Sequence, residues 1–184
     1  MTAQVNDVVE HADADWNLAG VSGGRLFDPR DHGINPRPAS SACWCGFHCR
    51  YALRQGTLTL ELLNIALEGQ PPHLFDRAAE PPTLSYGFTA SYRLLGKPLD
   101  FTGGLLLARG FRQELYVHMG YHPAWKYSHV VEVQLQAGHI TDVRDCSQAM
   151  AQIRARLARK DAPGASSSSE EITSWIERAF SRKY

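Results

Sequence analysis

The sequence has no long apolar run and no start that resembles a secretory signal. Its most apolar stretches, residues 58–67 and 103–108, are far shorter than the roughly 20 residues that a membrane-spanning helix needs. Residues 1–15 contain acids and lack the basic start and apolar stretch of a signal peptide. These absences predict a cytoplasmic protein without membrane contact, whose cysteines stay reduced.

An excess of charge of either sign is also missing. Nineteen basic and nineteen acidic side chains cancel, so no long-range field is expected to gather nucleic acid or anionic lipid. The phosphate-loop ending Gly-Lys-Ser/Thr, the nucleophile motif Gly-x-Ser-x-Gly and the zinc motif His-Glu-x-x-His do not occur. The sequence therefore indicates no nucleic-acid partner and leaves any cofactor and any catalytic residues unknown.

Alternation of side chains is the strongest structural signal that is present. A period of two residues is typical of a half-buried strand, and residues 43–54 and 57–62 show it on either side of the turn Gln55-Gly56. The residues predicted to face inward are Cys43, Cys45, Phe47, Cys49, Tyr51, Leu53, Leu58, Leu60 and Leu62. The two segments together predict a β-hairpin.

Further strands follow the same rule. Residues 86–94 and 101–108 read as strands, and residues 127–136 and 139–144 form a second hairpin around Ala137-Gly138. Short turns between strands favour antiparallel pairing. The predicted fold is mainly β (α+β), an antiparallel rolled sheet or small β-barrel with two C-terminal helices.

The domain organisation is predicted from composition. Residues 1–15 are expected to be a flexible N-terminus, and residues 16–160 a single β-rich domain that ends in a helix capped by Asp145. Met150, Ile153 and Leu157 would form the buried stripe of that helix. A Pro-Gly-Ser linker, 161–169, precedes an amphipathic C-terminal helix, 170–184.

Three cysteines and a histidine lie within seven residues, at Cys43, Cys45, His48 and Cys49. A soft-metal site needs such ligands, but a strand would place the three thiols on the inward face and send His48 to the other. Cysteine is also a small core hydrophobe. The prediction is core thiols and no metal, with metal binding and a reactive thiol as the alternatives.

A polar and aromatic cluster follows residue 109. Residues 109–119 read as a strand or, alternatively, as a helix; the strand is favoured because Gly120 and Pro123 leave little room for a helix. Aromatic side chains with a few polar groups are typical of small-molecule sites. The predicted ligand-binding residues are Arg112, Glu114, Tyr116, His118, Tyr121, Trp125, Tyr127 and His129.

Three functions are compatible with these features. The first is a non-catalytic binding or interaction module whose polar and aromatic face takes a small molecule or a protein partner. The second is a metal- or His-dependent enzyme that uses His118, His129 and Glu114. The third is an assembly protein, for instance a homo-oligomer, that acts through the C-terminal helix. The Ala- and Arg-rich composition is consistent with a bacterial source.

Overall fold

The computed structural model describes residues 2–157, which form a mainly β structure with one α-helix. The strands are β1 (Val8–His11), β2 (Ala14–Ser22), β3 (Phe47–Arg54), β4 (Thr57–Ile65), β5 (Ala90–Tyr92), β6 (Lys97–Pro98), β7 (Gly103–Phe111), β8 (Tyr127–Gln136) and β9 (His139–Asp145). Helix α1 covers Ser147–Leu157. The predicted linker 161–169 and second helix 170–184 lie outside the described residues.

Both predicted hairpins are confirmed. β3 and β4 are joined by Gln55 and Gly56, whose φ angles are +50° and +77°. β8 and β9 are joined by Ala137 and Gly138, with φ angles of +49° and +78°. Two consecutive positive φ angles are the mark of the turn that matches the twist of a two-residue hairpin. Glycine at the second position makes each turn accessible to the chain.

The strands form one mixed sheet in a ring-like arrangement. The order of hydrogen-bonded neighbours is β3-β1-β2-β7-β8-β9-β4, and β3 pairs in turn with β4. Most pairs are antiparallel, as predicted, but β1 and β3 run parallel over Val8–His11. Between β4 and β9 the register holds one pair, Thr57 with His139. The prediction of an antiparallel rolled sheet or small β-barrel is thus correct for the mainly β fold, but the sheet is mixed and the ring is not a clean barrel.

The parallel pair comes from a segment that the sequence assigns to a flexible N-terminus. β1 lies in that segment between β2 and β3, and its Val9 is fully buried in the core. The backbone N–H groups of Gln4 and Val5 donate to the carbonyls of Gly120 and Ala42, at 2.8 Å and 2.9 Å. The predicted start of ordered structure at Trp16 is wrong because a four-residue strand is too short to show alternation.

A β-bulge in β4 changes which side chains face the core. Arg50 pairs with Leu62, but the next residue of β3, Tyr51, pairs with Leu60, so Glu61 is the extra residue. A shift of one residue sends side chains to the opposite face of a sheet. Leu58 and Leu60 are buried as predicted, whereas Leu62 faces away from the core and Leu63 is fully buried in its place.

The main core fills the inner face of the ring. Its fully or almost fully buried members include Tyr51, Tyr92, Leu105, Leu107 and Val133. β7 enters this core beside β2, and Gly103 lies so close that a Cβ there would meet the carbonyl oxygen of Ser22 at 2.0 Å. Glycine inside a strand often marks such a close approach of two backbones.

Helix α1 covers part of the outer surface of the ring. Met150 packs against a second apolar cluster on β7 and β8, and the Asp145 carboxylate accepts a hydrogen bond of 2.8 Å from the N–H of Ser147. The predicted cap is thus present, but Ile153 is 36% exposed and is not part of a buried stripe. In the described part of the chain no helix has the length and apolar character to cross a membrane.

Candidate functional site

A cleft of about 700 Å³ lies on the face of β1–β4 that is opposite to the main core. Side chains from these four strands form part of its lining, and the rest comes from residues 3–6, Ala42, residues 83–86 and the chain from the end of β7 to the start of β8. The lining residues considered below are Asn6, Val8, His48, Arg50, Leu62, Asn64, Tyr86, Phe111, Tyr116, His122 and Tyr127. The volume is within the range of small-molecule pockets, about 300–1,000 Å³.

Strand geometry places the central residues of the cleft. On β3, Cys49 points into the core, so its neighbours His48 and Arg50 point toward the cleft. On β4 the bulge turns Leu62 and Asn64 to the same side. The bulge is therefore what brings a leucine and an asparagine into the lining.

The N-terminal segment is fixed to the turn that precedes β3. The Gln4 side chain donates to the carbonyl of Ser41 at 2.9 Å and accepts from the N–H of Trp44 at 3.1 Å. His48 Nε2 lies 3.0 Å from the carbonyl oxygen of Asn6, which can only accept, so Nε2 carries the proton. These bonds hold one side of the cleft in place.

Polar atoms without a hydrogen-bond partner are found at this cleft. They include Oδ1 of Asn6, Nδ2 of Asn64 and both ring nitrogens of His122. The Asn64 side chain is fully buried, and its Oδ1 accepts two hydrogen bonds from Thr83, one from the backbone N–H at 2.9 Å and one from the hydroxyl at 2.8 Å. Since a backbone N–H can only donate, the amide orientation is settled and the unpartnered atom is the donor.

His122 lies among aromatic rings. Its ring centroid is 4.7 Å from that of Phe111 and 5.3 Å from that of Tyr116, and the residue is 8% exposed. Burial, together with the positive charge of Lys126, lowers the pKa of His122 to about 4. The imidazole is therefore neutral at pH 7, with one donor and one acceptor nitrogen.

Tyr127 provides a second buried polar group beside this cluster. Burial raises the pKa of its hydroxyl to about 12, although a hydrogen bond from the Asn6 amide, at 3.1 Å, acts in the opposite direction. Its ring is 5.2 Å from that of Phe111. The tyrosine remains an uncharged phenol at neutral pH and joins the N-terminal segment to β8.

Arg50 contributes a charged side chain, but acids neutralise it. Its guanidinium donates to both carboxylate oxygens of Asp15, at 2.6 Å and 2.8 Å, and reaches Glu10 at 3.5 Å. The hydrogen bond from Arg50 lowers the pKa of Asp15, and the bond from Arg54 lowers the pKa of Glu10. The cleft is thus lined by apolar, aromatic and neutral polar groups and by one compensated cation.

Comparisons of this chain with protein families, with curated proteins and with solved structures find no match. No relative therefore suggests a ligand or a reaction. The function is therefore inferred from the residues that line the cleft.

Of the eight predicted ligand-binding residues, Tyr116 and Tyr127 line the cleft. Arg112 and Glu114 form an exposed ion pair with each other at 2.7 Å. His118 is exposed, and its Nδ1 lies 2.8 Å from the hydroxyl of Tyr116. The remaining three, Tyr121, Trp125 and His129, are not part of the lining.

The polar row after residue 111 is dispersed because the predicted strand 109–119 is wrong beyond Phe111. β7 ends at the pair Phe111–Tyr127, and residues 113–115 form a single 3₁₀ turn. Tyr116, Val117 and His118 have high β propensity, but a strand also needs a partner to pair with. No strand among the described residues pairs with this segment. Arg112, Glu114, Tyr116 and His118 therefore do not share one face of a sheet.

The four cysteines form no disulfide in the described residues, and their burial follows the prediction only in part. Cys49 is fully buried in the core, and Cys43 is also buried, but Cys45 is half-buried. Cys43 and Cys45 precede β3, with their sulfur atoms 3.8 Å apart and both directed at the carbonyl oxygen of Phe47. The predicted strand residues 43–46 are thus a turn.

A metal centre is not assembled from the predicted ligands. Within residues 2–157, no three His, Cys, Asp or Glu side chains come together as a group that could hold a metal ion. Glu114 is bound to Arg112, and His118 to Tyr116. The candidate set His118, His129 and Glu114 therefore lacks the geometry of a metal-ligand cluster.

Asn6, Asn64 and His48 are cleft residues that sequence reasoning missed. His48 and Asn64 are cross-strand partners in the β3–β4 hairpin, where the bulge alters the predicted facing of β4, and Asn6 lies before β1. A signal was present in Asn64, which is a polar residue between the apolar residues Leu63 and Ile65. The bulge in β4 explains why Asn64 faces the cleft and not the main core.

Proposed function

We propose that this chain is a binding module that holds a small molecule in the cleft between β1–β4 and the chain after β7. The observation that carries the proposal is the set of buried polar atoms without partners at Asn64 and His122. Leaving such an atom unpaired destabilises a folded protein by about 1–3 kcal/mol. A ligand that supplies the missing partners would remove that penalty.

The character of the lining supports a small molecule over a protein partner. The cleft combines aromatic rings at Phe111, Tyr116 and Tyr127 with a few polar groups, which is the usual composition of a small-molecule site. Its volume of about 700 Å³ suits a ligand of drug-like size. A protein interface would instead need a broad surface of about 800 Å² on each partner.

The enzyme hypothesis has weaker support. It depends on His118, His129 and Glu114, and two of these are engaged with side chains outside the proposed set. His122 is neutral and buried, but in the described part of the chain no nucleophile lies within hydrogen-bond distance of its ring nitrogens. Binding without chemistry is therefore the function that we favour.

A blocking variant tests the proposal. Leu62→Trp places an indole in the lining, and Val143→Trp, at an exposed position on β9 outside the cleft, is the matched control. Small organic probes such as phenol and acetonitrile are titrated into ¹⁵N-labelled protein. We expect the amide shifts to cluster at cleft residues in the wild type and in Val143→Trp, and to be lost in Leu62→Trp.

Two results would contradict this function. Probe binding concentrated elsewhere on the protein would show that the cleft is not its preferred site. Equal shifts in Leu62→Trp and the wild type would show that the probes do not enter the cleft. Circular dichroism of each variant confirms that the sheet is retained before the titrations are compared.

A further inference from the structure

We propose that the ligand of the cleft is an uncharged heteroaromatic ring with a hydrogen-bond donor beside an acceptor on its edge, as in a nucleobase or an aromatic carboxamide. This inference rests on the proposed function and adds the chemical class of the ligand. Three properties of the lining lead to it: the kinds of polar atom that lack a partner, the balance of charge, and the aromatic surface.

The unpartnered polar atoms include donors and acceptors. Asn64 presents an N–H donor, because its oxygen is held by Thr83. Asn6 presents a carbonyl acceptor, because its amide nitrogen donates to Tyr127. His122 adds one of each kind as a neutral imidazole. A ligand that satisfies them must itself carry both donors and acceptors.

The charge balance disfavours an ionic ligand. Among residues 2–157 no acidic side chain lines the cleft, so an ammonium group would find no counter-ion among them. The cation of the lining, Arg50, is held by Asp15 and Glu10, which leaves little attraction for a carboxylate or phosphate. His122 is neutral at pH 7 and adds no positive charge to the lining. A neutral ligand avoids the penalty of burying an unpaired charge.

Aromatic surface provides the remaining contacts. Phe111 contacts Tyr127 edge-on and lies beside His122, while Tyr86, from a different segment, also lines the cleft and is 43% exposed. Planar rings pack against such surfaces by offset stacking or edge-to-face contact. An alkyl chain would fill the space but leave the polar atoms unsatisfied. A planar ring with a polar edge meets both conditions.

Three probes of nearly equal size separate these properties. Nicotinamide has a neutral ring with a donor and an acceptor on its carboxamide, nicotinate replaces the amide by a carboxylate, and 3-methylpyridine lacks both groups. Adenine and cytosine extend the test to nucleobases. Each is titrated into the wild-type protein, and binding is followed by amide shifts of cleft residues. We expect nicotinamide and at least one nucleobase to bind at least tenfold more tightly than nicotinate and 3-methylpyridine.

Variants identify the groups that recognise the polar edge. His122→Phe keeps a ring against Phe111 but removes both nitrogens, and Asn6→Ala removes the acceptor at a half-buried position. We expect each to weaken nicotinamide binding by about tenfold or more and to leave 3-methylpyridine binding unchanged. His129→Phe removes an exposed imidazole outside the cleft and should bind nicotinamide like the wild type.

The outcomes distinguish this inference from the function beneath it. If nicotinate or 3-methylpyridine binds at the cleft as tightly as nicotinamide, the ligand class is wrong and the cleft remains a binding site. If none of the five probes shifts a cleft amide while phenol and acetonitrile still do, the ligand class is again overturned. If those two solvents also avoid the cleft, the proposed function fails with it.

Discussion

The buried imidazole of His122 makes folding stability depend on pH in a defined window. Its pKa is about 4 in the folded protein, against an ordinary value of 6.5, because burial and the charge of Lys126 disfavour the protonated form. The unfolded chain therefore binds a proton at higher pH than the folded chain does. Stability from this group is fully present above pH 6.5 and is lost as the pH falls toward 4.

The expected loss follows from the size of the shift. One pKa unit corresponds to about 1.4 kcal/mol, so the free energy of unfolding should fall by roughly 2 kcal/mol between pH 7 and pH 4.5 through His122 alone. His122→Phe removes the titrating group and keeps a ring beside Phe111. Acids and other histidines titrate in both proteins, so the difference between them isolates this one residue.

Urea unfolding followed by tryptophan fluorescence at several pH values measures the effect. The free energy of unfolding of the wild type should decline more steeply than that of His122→Phe below pH 6.5. His73→Phe, which removes an exposed imidazole, should follow the wild type. Parallel curves for the wild type and His122→Phe would refute the reasoning, because they would mean that His122 has the same proton affinity in both states.

Other features of the fold give further predictions. Gly103→Ala should lower the free energy of unfolding in urea by about 2 kcal/mol or more, because a Cβ there meets a backbone oxygen of β2 at 2.0 Å. Gly24→Ala, at a positive φ but with open space around it, should lower the free energy of unfolding by less. Equal losses would contradict the close approach at Gly103. Leu63→Ala should lower the free energy of unfolding by about 2–5 kcal/mol and Leu62→Ala by less than half as much, and the reverse order would refute the bulge. Iodoacetamide should modify half-buried Cys45 and Cys146 before buried Cys43 and Cys49, as read by peptide mass spectrometry. Simultaneous modification of all four thiols would contradict the described burial.

Local signals in the sequence were sufficient for the hairpins. Gln55-Gly56 and Ala137-Gly138 interrupt alternating strands, and both turns occur where they are predicted. The same reasoning fails for Leu62, because a one-residue bulge reverses the faces without changing composition. It also fails for β1, since a strand of four residues gains its stability from its neighbours β2 and β3.

The candidate site was less accessible to sequence reasoning. Tyr116 and Tyr127 were predicted because they belong to an aromatic cluster, and they do line the cleft. His48 and Asn64 are paired within the β3–β4 hairpin, but the bulge that sets the facing of Asn64 leaves no local pattern, and Asn6 reaches them from the segment before β1. Tertiary contacts thus determined which of the polar residues share a surface.

The ring has the fewest registered pairs where β4 meets β9. This junction and the cleft lie at different positions along β4. At one end of β4, Thr57 forms the lone registered pair with β9; toward the other end, Leu62 and Asn64 are hydrogen-bonded into the ladder with β3. Parting the sheet at that junction would sacrifice few backbone bonds, so it is where breathing motions of the ring are expected to concentrate. Such opening would leave Leu62 and Asn64, the cleft residues of β4, paired with β3.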